Sequence, residues 1–208
     1  MKLILSKIKT YFGKLDKLLL FMCMGIACFA VFIQYTLYEN DISSAVTASQ
    51  YKTQIIAFIA GIVIAMALAA INYKYLAKLW FIYVPLAMGL TLLLFTPLGI
   101  QREGADDIGW LDLGIMTIQP SEILKLAFIL SLAVHLSKVE DRMNEPIHFI
   151  LLCIHGAIPT LLIRQTGDDG SALVFLFIFI CMMFAAGLSW KYLVMIAVAI
   201  PPAVYVLW

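Results

Sequence analysis

The chain has 208 residues, 63% of them hydrophobic and 13% charged, with a mean hydropathy of +0.99. Soluble domains hold roughly 45–50% apolar and 25% charged residues, so a water-soluble globular fold is excluded. A net charge of +1 leaves no basic footprint for nucleic acid, and apolar runs that do not alternate exclude a β-barrel.

The chain reads as an all-α polytopic bundle of transmembrane helices in one membrane domain covering 1–208. It opens on "MKLILSKIKTYFGKLDK", basic and followed by an apolar run from Leu18 to Leu37. That run is too long for a signal-peptide core and no small-residue cleavage site follows, so it reads as a first transmembrane helix that is retained. Seven spans are expected, near 17–38, 53–71, 79–96, 120–137, 147–163, 171–188 and 192–208. Each approaches the roughly 20 apolar residues that cross a bilayer at about 1.5 Å per residue. Cys23, Cys28, Cys153 and Cys181 fall inside these runs with no metal-ligand spacing and read as small buried hydrophobes without disulfides. No metal site is expected from them.

Orientation follows from Lys and Arg. With a cytoplasmic N-terminus, the inner segments hold Lys2, Lys7, Lys9, Lys14, Lys17, Lys74, Lys78, Lys138, Arg142 and Lys191. The outer segments hold only Lys52, Arg102 and Arg164. The segments 39–52, 97–119 and 164–170 then face outward with most of the acidic residues. In the longest of them, Trp110, Leu111 and Leu113 suit a short amphipathic element on the membrane surface. Asp106 and Asp107 form a solvated loop or offer a divalent cation two carboxylates.

The fourth span carries two charges in its first turns, in "QPSEILKL". A charge at bilayer centre costs about 2.5–3.5 kcal/mol on insertion scales. Pro120 suits the first helical position, and Glu122 and Lys125, three apart, share a face and can pair. The pair is either an ion pair that orders the bundle or the wall of a polar cavity open to the outside. In "RQTGDDGSALV", Asp168 either caps the sixth span or joins Arg164 at the mouth of that cavity. His135 and His148 sit near inner span ends. His155 lies mid-span, either packed and hydrogen-bonded or part of a proton relay.

Two stretches together carry a family resemblance. "WLDLGIMTIQPSEILKLAFILSLAVHLSK" resembles the SEDS signature W-[I/L]-x-L-G-x-x-x-[I/F]-Q-P-S-E-x-x-K, matching at Trp110, Gly114, Gln119, Pro120, Ser121, Glu122 and Lys125. "GDDGSALVFLFIFICMMFAAGLSWKY" resembles the family's P-D-L-G-T-[A/S] loop and the helix after it, matching at Asp168 and Gly170. Gly167, Asp169 and Ser171 depart from that loop. The family's N-G-A-x-R-W element reads "EGADDIGW", with Gly109 where Arg is usual.

The resemblance, to the RodA/FtsW/SpoVE type, implies ten transmembrane helices and a peptidoglycan glycosyltransferase. Such an enzyme polymerises lipid II at the outer face of the bacterial cytoplasmic membrane beside a class B penicillin-binding protein. It also implies that Gln119, Ser121, Glu122, Lys125, Asp168 and Gly170 line the substrate cavity, with Trp110, Gly114 and Pro120 in structural roles. The family's catalytic aspartate is expected beyond Trp208, so the chain reads as the N-terminal part, inactive alone. A flippase or transporter for lipid-linked precursors, and a non-catalytic scaffold for cell-wall enzymes, are the alternatives for the same polar cavity.

Overall fold

The computed structural model describes residues 16–40, 48–102, 104, 106–114, 117–192, 194–196 and 198. The chain divides into two compact units, Met1–Tyr73 and Lys74–Trp208.

The first unit is a helix pair, α1 (Lys17–Glu39) and α2 (Ala48–Ala70). The side chain of Asp16 accepts the Leu19 N–H at 3.0 Å and caps α1, where an acid also suits the helix dipole. Tyr51 stacks on Tyr38, ring centroids 6.2 Å apart, and tilts against Tyr35 at 5.6 Å. Beyond this contact α1 buries nothing: Phe21, Ile26, Phe29 and Phe32 are exposed, as are Ile56, Ile59 and Val63 of α2. Both helices are long and apolar enough to cross a bilayer. The expectation for the cysteines is corrected. Cys23, Cys28 and Cys181 are exposed and Cys153 half-buried, all free thiols.

The second unit runs from α3 (Tyr73–Lys78) through a break at Leu79 into α4 (Trp80–Leu92) and a 3-10 turn, Leu93–Phe95. The apolar helix of the third span begins at Trp80, as expected, and the short α3 precedes it. Then come α5 (Pro120–Lys138), α6 (Pro146–Arg164) and α7 (Asp169–Ala185). Backbone helix resumes at 190; most of the expected seventh span lies outside the described residues. α5 and α6 are long enough to span a membrane, whereas α4 and α7 are shorter apolar helices.

α5 packs against α4, α6 and α7. Leu124, Phe128, Leu132, Leu152, Phe175 and Met183 form the centre of the core. Phe128 and Phe175 tilt together at 5.5 Å. At the far end Asn144 ties the chain down, accepting from Ser189 N–H at 2.8 Å and from the Tyr192 hydroxyl at 2.9 Å.

The 97–119 segment departs from expectation. It contains a three-stranded antiparallel sheet, β1 (Gly99–Ile100), β2 (Trp110–Asp112) and β3 (Thr117–Ile118), in the order β1-β2-β3. Leu111 pairs with Gly99 on one side and Ile118 on the other and is 1% exposed. The apolar side chain of β2 thus turns into the protein instead of lying on a membrane surface. Gly114 supplies the turn between β2 and β3 with φ +78, and its N–H binds the Asp112 carboxylate at 2.8 Å.

Two glycines make testable close approaches. A Cβ on Gly156 of α6 would lie 2.6 Å from the Phe179 ring of α7. Gly156→Ala is expected to cost about 1–3 kcal/mol by overpacking, read as a lower thermal midpoint in detergent. An unchanged midpoint would show that the ring moves freely. Gly167 has φ +86, and a Cβ there would meet the Asp107 Cα at 3.3 Å. Left-handed backbone costs a side chain about 1–2 kcal/mol, so Gly167→Ala should also lower that midpoint.

Candidate functional site

α5, α6 and α7 run antiparallel in sequence order, so the start of α5, the end of α6 and the start of α7 share one end of the bundle with the small sheet. β3 leads straight into α5. Gln119 precedes the helix with extended backbone and no side-chain cap bond, and Pro120 fills the first helical position, where its missing N–H is no loss. Pro120 and Ser121 are buried. Among the described residues, the Ser121 hydroxyl has no hydrogen-bond partner.

One turn on, Lys125 Nζ lies 2.6 Å from Glu122 Oε1. The expected pair is present. The lysine is mostly buried, its side chain 19% exposed, while the glutamate is 59% exposed. The carboxylate therefore sits at the exposed side of the pair and the ammonium on the bundle side. Glu122 also lies at the positive end of the α5 dipole.

Across the same end, Asp168 caps α7: its carboxylate accepts the Ser171 N–H at 2.8 Å. The capping role is thus realised. Asp169 faces Arg164 at 3.8 Å, and Gly170 is exposed in the first turn of α7. The loop before α5 is sewn to this corner by Ile108 N–H, which donates to Thr166 O at 2.9 Å. The corner and the Glu122–Lys125 pair therefore lie at one end.

Arg102 adds a third cation. Its guanidinium lies over the Trp110 ring of β2 at 3.4 Å and donates to Thr117 Oγ1 of β3 at 3.4 Å. This end thus carries the cations Lys125, Arg164 and Arg102 among the acids Asp106, Asp107, Asp112, Glu122, Asp168 and Asp169, with Lys125 paired to Glu122 and Arg164 to Asp169. No cluster of three or more metal-ligating side chains occurs among the described residues.

Sequence reasoning missed one connection. Ser131 Oγ lies 3.0 Å from His155 Nε2, and His155 Nδ1 lies 3.1 Å from His135 Nδ1. His155 thus contacts polar partners through both ring nitrogens. The four-residue spacing of Ser131 and His135, which puts both on one face of α5, was the available signal.

The model of a family described as cell cycle proteins, FTSW_RODA_SPOVE, matches residues 14–208. A probable peptidoglycan glycosyltransferase FtsW from Geobacter sp. (strain M18) is 32% identical over 204 residues, 91% of this chain and 53% of the relative. The peptidoglycan glycosyltransferase MrdB of Escherichia coli (strain K12) is 25% identical over 205 residues, 96% of this chain and 52% of the relative. Among solved structures, a chain of a peptidoglycan synthase complex that coordinates polymerization and crosslinking matches at a TM-score of 0.70 and 23% identity, covering 89% of this chain and 53% of its own. The rod shape determining protein RodA of Thermus thermophilus matches at 0.61 and 24%, covering 83% and 58%. The chain thus spans about half the length of the relatives it matches, and the structural matches show the same helical membrane fold. With its model running through both compact units, the chain belongs to the FtsW/RodA/SpoVE family of cell cycle proteins.

Proposed function

We propose that this chain forms one membrane domain of a SEDS-type peptidoglycan glycosyltransferase, which polymerises lipid II with a class B penicillin-binding protein as partner. The observation that carries the reading is the half-buried Lys125 held by Glu122 at 2.6 Å, at the start of a membrane helix in a family whose relatives carry that activity in their names. Lipid II presents a diphosphate between a sugar and a prenyl chain. Transfer at the sugar needs its negative charge held by preorganised cations.

In this reading Lys125 contacts the diphosphate, and Glu122 holds the lysine in place until substrate arrives. Gln119 and Ser121 are uncapped polar groups beside it that can complete the contact. Asp168 and Gly170 shape the opposite lip by fixing the start of α7. The reaction's general base is not assigned to any of these residues, since Glu122 is already taken up by Lys125. A divalent cation is no part of this assignment.

The reading places the sheet end on the outer face of the cytoplasmic membrane and the N-terminus inside. Support comes from the Lys and Arg distribution: Lys138 and Arg142 lie at the opposite end from the sheet, together with Lys74 and Lys78.

Two experiments test this. In lipid II polymerisation by the protein expressed from its native gene with its partner, Lys125→Met is expected to lower the rate about 10–100-fold, the worth of a hydrogen bond to a charged group. Lys125→Arg should retain more activity than Lys125→Met, and Glu122→Gln should fall between Lys125→Met and wild type. Full activity of the Glu122→Gln, Lys125→Met double variant would remove the site from the mechanism. For orientation, a membrane-impermeant thiol reagent on intact spheroplasts should label Asp106→Cys, and should label Arg142→Cys only after permeabilisation. The reverse pattern would invert the assignment.

A further inference from the structure

The second unit holds a polar chain that the lysine site does not use. Ser131 Oγ donates to the Phe128 carbonyl at 3.1 Å. With its hydrogen committed there, Ser131 accepts from His155 Nε2 at 3.0 Å. A neutral imidazole protonated on Nε2 has a bare Nδ1. The 3.1 Å contact between the two Nδ1 atoms therefore runs from His135, as donor, to His155. Each of these donors is used, and they point one way along the row.

His155 and Ser131 also line a crevice of about 320 Å³ between α4, α5 and α6, in the range of about 300–1,000 Å³ usual for small-molecule sites. The rest of the lining is apolar, including Met88, Ile154 and Ile158. Pro159 lines it too. Lying one turn after His155 and lacking an N–H, it withholds the i→i−4 donor from the His155 carbonyl. Ser131 Oγ, having donated once and accepted once, keeps one lone pair. Both acceptors, the His155 carbonyl and Ser131 Oγ, belong to residues that line the crevice, and the donors of the row are already taken. Acceptors in hydrocarbon demand partners, and the apolar walls give a filling of water too few contacts.

We propose that this crevice binds a membrane-soluble alcohol. Its apolar chain lies along Met88, Ile154 and Ile158, and its hydroxyl donates to the His155 carbonyl or to Ser131 Oγ. The site lies on the same helix as Lys125 but about 9 Å further along its axis, six residues at 1.5 Å each, and does not depend on the glycosyltransferase reading.

The test uses a diazirine-bearing aliphatic alcohol and the protein in lipid nanodiscs, with labelled residues mapped by mass spectrometry. Labelling should concentrate on the crevice-facing residues of α4, α5 and α6. Dodecanol should compete about ten-fold better than dodecane, the worth of one net hydrogen bond. Pro159→Ala returns an N–H to the helix ladder, and Ser131→Ala removes the other acceptor. The double variant, shown to be folded by circular dichroism, should lose the preference for alcohol over alkane while still being labelled. Should it fail to fold, each single variant is expected to show a reduced preference. Labelling spread evenly over the lipid-facing helices, α1 included, overturns the proposal. So does equal competition by dodecanol and dodecane, or a preference that survives the substitutions.

Discussion

Inside a bilayer a polar group has no water to turn to, so each must find its partner within the chain. α5 shows what this demands. Of the four helices long and apolar enough to span, it is the least apolar and the most buried. Glu122, Lys125, Ser131 and His135 sit on it, and α4, α6 and α7 pack around it. α1 and α2 carry no buried residue among those described. The arrangement of the second unit is thus the arrangement that surrounds one polar helix.

That ordering also explains why the two polar sites on α5 are solved differently. Near the helix start, charge is tolerated because Lys125 meets Glu122 there. Further along α5 the polarity is shared, with Ser131 and, in the last turn, His135 meeting His155 across the α5–α6 contact. Phe128 seals the level between them, its ring tilted against both His155 and Phe175.

Much of this was legible in the sequence. Apolar run length found the helices, and Pro120 marked the start of α5 to the residue. The three-residue spacing of Glu122 and Lys125 found their pairing, and the Asp-Gly-Ser stretch found the α7 cap. What escaped needed partners far apart in the chain. Trp110, Leu111 and Asp112 are too few to display a strand period, and their pairing with Gly99 and Ile118 is a tertiary fact. Ser131 looked unremarkable until α6 brought His155 to it. The cysteines misled because apolar surroundings in a sequence do not distinguish a protein interior from lipid.

The pairing of Glu122 with Lys125 has a consequence for how the chain is made. Both partners lie on one helix, three residues apart, so their contact needs only the first turns of α5 to form. Membrane helices insert before they assemble. α5 can therefore enter the lipid with its charges already matched, before α6 and α7 have been synthesised. Had the partner of Lys125 come from a later helix, a bare ammonium would have waited in the bilayer for it. The histidine row does depend on a later helix, since Ser131 and His135 lie on α5 and His155 on α6.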